Sequence, residues 1–231
     1  MKSSFFVTIL TLFPEVFPGI LGESLSGSAL KKGIWSYKVV NIRDFGIKRY
    51  RQVDDRKYGG GPGLVMRPDV LGKAIETNMS KDIKKIYYFS PRGKRIGKDL
   101  IQEVIDKNNI MVLCGRFEGI DERVIEEYSI EEVSVGDFIV SGGEVCALLL
   151  LDSCIRLLPG VVKQKQALIE ESFGLISECE GLLEYPLYTR PYIWKNKKVP
   201  DVLLSGNHLK ISNWKKQKSL FITKKRRPDL I

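Results

Sequence analysis

Three groups of residues in this chain have types and spacings that could do chemistry. The first is a set of short glycine-containing loops that follow apolar runs: Ser90-Pro91-Arg92-Gly93, Gly115-Arg116-Phe117-Glu118-Gly119 and Ser141-Gly142-Gly143. In open α/β sheets, ligands bind beyond the carboxyl ends of the strands. Glycine there lets backbone N–H and C=O groups approach a ligand closely; the same residues also make plain tight turns. The second group is a pair of charged positions in unusual settings. Arg156 interrupts the apolar stretch CALLLLDSCIRLLPG. It is either an i,i+4 partner of Asp152 or a cation held on a rigid helix toward a developing negative charge. Glu170-Glu171-Ser172 offers either solvated carboxylates or a general base. The third group is the tail, where Tyr188, Tyr192, Trp194, Trp214 and Phe221 are interleaved with the basic runs WKKQK (214–218) and KKRRP (224–228). That composition suits phosphate contact combined with base stacking, or else a solvated helix held by a small apolar stripe.

Charge supports the nucleic-acid reading of the tail. The 231-residue chain carries a formal charge of +9. Residues 1–186 hold 25 basic and 26 acidic side chains, a net of −1, whereas residues 187–231 hold 12 basic and 2 acidic, a net of +10. A polyanion meeting that end is the natural partner. Composition alone does not separate RNA from DNA, although a DNA-binding regulator would need a helix-turn-helix pattern that the tail lacks. Other chemistries are disfavoured. No GxGxxG follows the first apolar run, and GGGPG (59–63) lacks the Lys-Ser/Thr of a phosphate-binding P-loop. Cys114, Cys146, Cys154 and Cys179 include no CxxC pair, and His208 is the single histidine. A zinc site is therefore not expected, and buried reduced thiols in a cytoplasmic protein are. The run VCALLLL (145–151) ends at Asp152, too short to cross a bilayer. MKSSFFVTIL is read as the lead into a buried strand, not as a signal peptide, because Pro14-Glu15 interrupts it and no small-x-small site follows.

The elements that must position these groups follow from periodicity. Strands are expected at 5–11, 39–42, 86–89, 110–114 and 138–140, and helices from FPEVF (13–17), at 68–78, at 98–107, after Asp121 and from Gly143 to about Pro159. Residues 50–66 (YRQVDDRKYGGGPGLVM) are expected as a glycine-rich loop. Strand–helix alternation with short apolar strands predicts an α/β fold, a parallel sheet covered on both faces. Around 161–180 the pattern loses its period and reads as a linker. Short helical pieces follow.

Taken together, the motifs resemble the bacterial tRNA (guanine-N1)-methyltransferases of the SPOUT class. The resemblance runs in order through TLFPEVF (11–17), VDDRKYGGGPGLVM (53–66), YFSPRG (88–93), CGRFEGIDER (114–123), SVGDFIVSGGE (134–144), RLLPGVV (156–162), EESF (170–173), EGLLEYPLYTRP (180–191), LLSGNH (203–208) and KQKSL (216–220). It implies a deep trefoil knot, which general topology rules treat as nearly forbidden. It also implies a knotted α/β donor domain (1–160), a linker (161–172) and a small, mainly helical tRNA-binding domain (173–231). The implied methyl donor is S-adenosylmethionine, held by Tyr88, Phe89 and Ser90, by Gly115, Phe117 and Glu118 within 115–118, and by Ser134, Val135, Gly136, Asp137, Phe138, Ile139, Val140, Gly142 and Gly143 within 134–143. The implied acceptor is N1 of the guanosine just 3′ of the tRNA anticodon, with Asp54, Arg56, Tyr58, Gly59, Ser172, His208 and Lys215 on the tRNA side. The family works as homodimers with an active site shared between subunits. The resemblance also implies Mg²⁺, though no carboxylate cluster in the sequence marks a site for it.

Guanine N1 is protonated at neutral pH, so methylation requires removal of that proton and stabilisation of charge moving toward O6. The resemblance gives the second task to Arg156 and the first to Glu171. Glu171 stands where the family usually has aspartate, one methylene shorter. Lys57 replaces a usual proline and Leu64 a usual methionine. The competing function is a non-catalytic RNA-binding module, and the presence of both a carboxylate at 171 and an arginine at 156 favours the enzyme.

Overall fold

The computed structural model describes residues 4–163, 168, 171–173 and 181–231. The chain divides into two compact units, Met1–Val162 and Lys163–Ile231.

The first unit is built on a five-stranded sheet with strand order β2-β1-β6-β5-β7, every neighbouring pair parallel. Its strands are β1 (Phe5–Thr11), β2 (Trp35–Asn41), β5 (Lys85–Arg95), β6 (Asn109–Leu113) and β7 (Glu131–Ser134). Side chains alternate between two separate apolar cores. Val7, Tyr87, Ile110 and Val112 enter one, and Leu10, Ile86, Met111 and Leu113 enter the other. This two-sided burial is why β1 and β6 read as continuous apolar runs. The helices α1 (Ser24–Lys31), α3 (Lys98–Lys107) and α5 (Gly143–Ile155) contribute to the first core, and α2 (Pro68–Asn78) and α4 (Glu122–Glu127) to the second. Helix starts follow local chemistry. Pro68 sits in the first turn of α2 with Asp69 beside it. At α4, the Asp121 carboxylate accepts the Arg123 backbone N–H at 3.0 Å, the cap expected from its position.

Several expected elements differ. FPEVF forms a short 3₁₀ turn, Pro14–Val16, and the first α-helix begins only at Ser24. The 50–66 segment is not all loop: it folds into an antiparallel hairpin of β3 (Asp54–Arg56) and β4 (Leu64–Met66). β5 does not stop at Phe89. Its register against β7 shifts between Phe89 and Lys94, so Ser90–Gly93 is a bulged stretch inside an eleven-residue strand. Phe138-Ile139-Val140 is not a strand. The three side chains are 57%, 79% and 37% exposed in an irregular loop, and the real edge strand is β7. Their apolar character serves a cavity wall, not a sheet.

The second unit contains a two-stranded hairpin, β8 (Ile193–Trp194) with β9 (Lys197–Lys198), a 3₁₀ turn at Asp201–Leu204 and a 19-residue helix, α6 (His208–Arg226). α6 is one continuous helix where the sequence pattern suggests several short pieces. Its buried positions are Ser219 and Thr223, and the Thr223 hydroxyl accepts the Leu183 N–H at 2.9 Å while donating to the Ser219 carbonyl at 2.7 Å. Glu170 and Cys179 lie outside the described residues.

Candidate active site

In the first unit a cavity of about 300 Å³ opens beside β5, β6 and β7. Its walls come from three places distant in sequence. Tyr88–Pro91 arrive from β5 where it enters its bulge, Gly115–Gly119 from the loop leaving β6, and Val133–Gly136 with Phe138–Gly143 from the end of β7 and the segment that leads into α5. Every position expected to hold the donor lines it except Asp137, which turns outward to pair with Arg95 at 2.8 Å. The close backbone approach has a steric basis at Gly115, where a Cβ would lie 2.5 Å from the Tyr88 ring. Burial pushes the Tyr88 hydroxyl above the usual tyrosine range, with the nearby Glu132 carboxylate adding to the effect. Cys146 also lines the cavity, and burial raises its pKa, which keeps it a thiol and not a nucleophile.

Behind the wall lies a polar network that sequence reasoning missed. Glu144, in the first turn of α5, is 2% exposed. Its carboxylate accepts the Thr11 hydroxyl at 2.7 Å and pairs with the Arg116 guanidinium at 2.9 Å. Arg116 also donates to the Ser141 carbonyl at 3.2 Å, and its guanidinium stands 4.3 Å from the centroid of the Phe13 ring. A buried carboxylate persists only when so partnered. The network ties the end of β1, the 115–119 loop and the start of α5 together. Gly143 N–H adds a bond to the Gly115 carbonyl at 3.0 Å. One signal was available in the sequence: a charge directly after a glycine pair, opening the apolar helix GGEVCALLLL.

The β3–β4 hairpin abuts this wall through backbone bonds. Glu118 N–H donates to the Leu64 carbonyl at 2.9 Å, and Met66 N–H to the Gly119 carbonyl at 2.9 Å. Lys57 Nζ lies 3.8 Å from a Glu118 oxygen. Asp54 and Arg56 are on β3, Tyr58 is 98% exposed, and Gly59 has φ of +84° in the turn that follows. A second hollow of about 450 Å³ is lined by Arg56, Lys57, Gly60, Gly61, Gly63 and Leu64.

The remaining expected residues fall in both units. Arg156, half-buried, caps the C-terminus of α5 in the first unit. Glu171 and Ser172 belong to the second, where the Ser172 hydroxyl accepts the Glu184 N–H at 2.9 Å. His208 is exposed at the start of α6, and Lys215 holds its ammonium 4.6 Å from the centroid of the Tyr185 ring.

Comparison with known proteins is consistent along the whole length. The family model described as tRNA (guanine-1)-methyltransferase TrmD matches residues 5–231. The chain belongs to this family. Proteins named tRNA (guanine-N(1)-)-methyltransferase from Rickettsia akari (strain Hartford) and Rickettsia prowazekii (strain Madrid E) are 58% and 57% identical to it, with 97% of this chain covered in each case and 96% and 97% of theirs. The protein of that name from Rickettsia bellii (strain RML369-C) is 51% identical, with 97% of this chain and 95% of its own length covered. Family membership therefore embraces both units, the cavity and the basic tail alike.

Proposed function

We propose that this chain is a tRNA (guanine-N1)-methyltransferase that uses S-adenosylmethionine to methylate N1 of the guanosine 3′ of the anticodon, tRNA position 37. The observation that carries the reading is the cavity itself, in a chain whose family match is full length. Its volume is at the lower end of the range for small-molecule sites. Its make-up suits an adenosyl donor: apolar faces from Phe138, Ile139 and Val140 beside glycine backbone that lines the cavity at Gly115, Gly142 and Gly143. When bound, the donor supplies an electrophilic methyl group on a sulfonium. The chain's own groups then have two tasks. The Glu171 carboxylate would accept the N1 proton, leaving the N1 electron pair for the new N–C bond while the S–CH3 bond of the donor breaks with its electrons left on sulfur, and the Arg156 guanidinium would stabilise the negative charge that gathers on O6.

Within the same reading, residues 1–160 form the knotted donor domain, 161–172 the linker and 173–231 the tRNA-binding domain. The Gly143–Gly115 backbone bond holds the chain entering α5 against the loop leaving β6, an arrangement compatible with the knot that the resemblance implies. A homodimer is supported by the apolar side chains that the first unit exposes, among them Val145 (62%), Leu149 (46%) and Ile20 (72%). Among the described residues no group of three or more His, Cys, Asp or Glu gathers to hold a metal, so no step is assigned to Mg²⁺. Among them, too, no helix is long and apolar enough to cross a membrane; a cytoplasmic site of action follows from the tRNA substrate.

The test is to incubate the protein with methyl-labelled donor and unmodified tRNA transcripts and to map the labelled base. Label on N1 of the guanosine after the anticodon is expected. Label on another base or atom, or none, would overturn the assignment.

A further inference from the structure

The aromatic side chains of the second unit divide into two kinds. Trp214 is half-buried and packs against the rings of Tyr185 (6.4 Å) and Tyr188 (6.2 Å), and the Tyr192 hydroxyl donates to Asp201 at 3.2 Å. These rings build the unit. Trp194, like Phe221 on α6 (62% exposed), is different. It lies 60% exposed on the β8–β9 hairpin, paired in register with Lys197, next to Ile193, which is 48% exposed and pairs with Lys198. The connecting residues Lys195 and Asn196 both have positive φ, 47° and 61°, the two-residue turn whose twist matches a hairpin. Lys195 Nζ is held 5.0 Å from the centroid of the indole ring. The stretch 187–198 holds four basic residues and no acidic one.

We propose that this hairpin is a stacking platform for an unpaired base of the RNA substrate, with Trp194 giving the π-face and Lys195, Lys197 and Lys198 neutralising the flanking phosphates. The proposal rests on the tRNA reading above and adds a site to it. Charge chooses the occupant. A large exposed indole costs free energy in water, and a ring set among lysines fits a polyanion with aromatic faces better than a second copy of a chain equally basic at this place. An exposed hairpin tip also suits a splayed-out base, because single-stranded bases are bound by stacking on aromatic rings combined with cationic contact to the backbone.

The experiment compares the full-length protein with Trp194→Ala, Trp194→Phe and Lys197→Gln/Lys198→Gln. An unmodified tRNA transcript and a single-stranded oligoadenylate serve as probes, with Kd measured across a salt series. Trp194→Ala should weaken tRNA binding by about 10-fold with the slope of log Kd against log salt unchanged, since stacking releases no counterions. Trp194→Phe should keep affinity within about 3-fold of wild type, because it retains a ring. The lysine pair should flatten the slope by about 0.7 for each phosphate that is no longer neutralised. Both RNAs should quench tryptophan fluorescence in the wild type, and Trp194→Phe should lose most of that quenching, since Trp35 is buried and Trp214 packed. Unchanged affinity for Trp194→Ala together with quenching retained in Trp194→Phe would overturn the proposal. So would a dimer that dissociates in Trp194→Ala while RNA affinity per dimer holds, which would give the face to a second copy. Wild-type protein that binds the oligoadenylate through Trp194 yet methylates no tRNA would instead overturn the assigned activity and leave the platform standing.

Discussion

The two units hold their charges in opposite ways. In the first, many basic side chains already have an acidic partner: Arg92 with Glu122 and Glu132, Arg67 with Asp55 and Asp69, Lys85 with Glu131, and Arg116 with Glu144. In the tail, the acidic residues are Asp201 and Asp229, and both are engaged, with Tyr192 and with Arg227. Lys218, Lys224, Lys225 and Arg226 stand exposed on α6. A body with balanced charge around a small cavity suits one small ligand of mixed polarity, whereas an unbalanced helix suits a polyanion whose counterions are released on binding. The contrast teaches that net charge, read over the whole chain, describes neither unit.

Glu171 is the strongest challenge to a simple division of labour, because the role proposed for it would give a reacting group to the second unit. Glutamine keeps its size and hydrogen bonding but accepts no proton, and a positioned base contributes about 10²–10⁴-fold. Single-turnover methylation by Glu171→Gln should fall by at least about 100-fold on that reckoning. Glu171→Asp should retain substantial activity, and Glu170→Gln should matter much less. A near-wild-type rate for Glu171→Gln with a dead Glu170→Gln would move the role to the neighbour.

The balanced side of the comparison is sharpened by Glu144→Ala, which leaves Arg116 facing a buried site without its carboxylate. Stability should drop by about 3 kcal/mol, as when one partner of a buried pair is removed, and donor affinity should fall with it because the cavity wall loses its tie. Urea unfolding and calorimetric donor titration report the two effects, and tRNA affinity at fixed donor occupancy should stay near that of the wild type. A stability change under about 1 kcal/mol would mean the pair is no net support.

For the unbalanced side, replacing Lys218, Lys224, Lys225 and Arg226 by alanine should flatten the salt dependence of tRNA binding by about 0.7 to 0.9 for each phosphate that the helix ceases to touch. An unchanged slope would reduce the run to a solvated face.

The smallest effect concerns Asp121, whose carboxyl the Arg123 side chain and backbone hold below the usual aspartate range. Because its folded pKa is lowered, its contribution is complete above the unfolded value and is lost as pH falls through the folded one. Asp121→Ala should cost about 1 kcal/mol near neutral pH, and the difference from wild type should shrink toward zero in acid. A difference that is flat with pH would show that the side chain acts without its charge.

The sequence by itself determined the elements whose partners are near in the chain. β1, β6, α2, α3 and the Asp121 cap were legible because a strand buried on both faces, an amphipathic stripe and an N-cap are each written within a dozen residues. The glycine loops at 115–119 and 141–143 are expected as approach points for a ligand on equally local signals, and folding sets both on the cavity wall; the imbalance of the tail is arithmetic. Tertiary structure decided what depends on distant partners. Phe138-Ile139-Val140 has the composition of a strand, yet lies exposed on a cavity wall, and the sheet edge is formed by β7 against β5. The β3–β4 hairpin survives within a glycine-rich stretch because Glu118, Gly119 and Asp121 extend it by backbone bonds. Thr11 and Glu144 meet across 133 positions and Arg116 joins them, a contact that no local periodicity encodes. Trp194 and Trp214, alike in composition and charge context, were separated only by folding, since exposure belongs to what packs around a ring and not to the residues beside it.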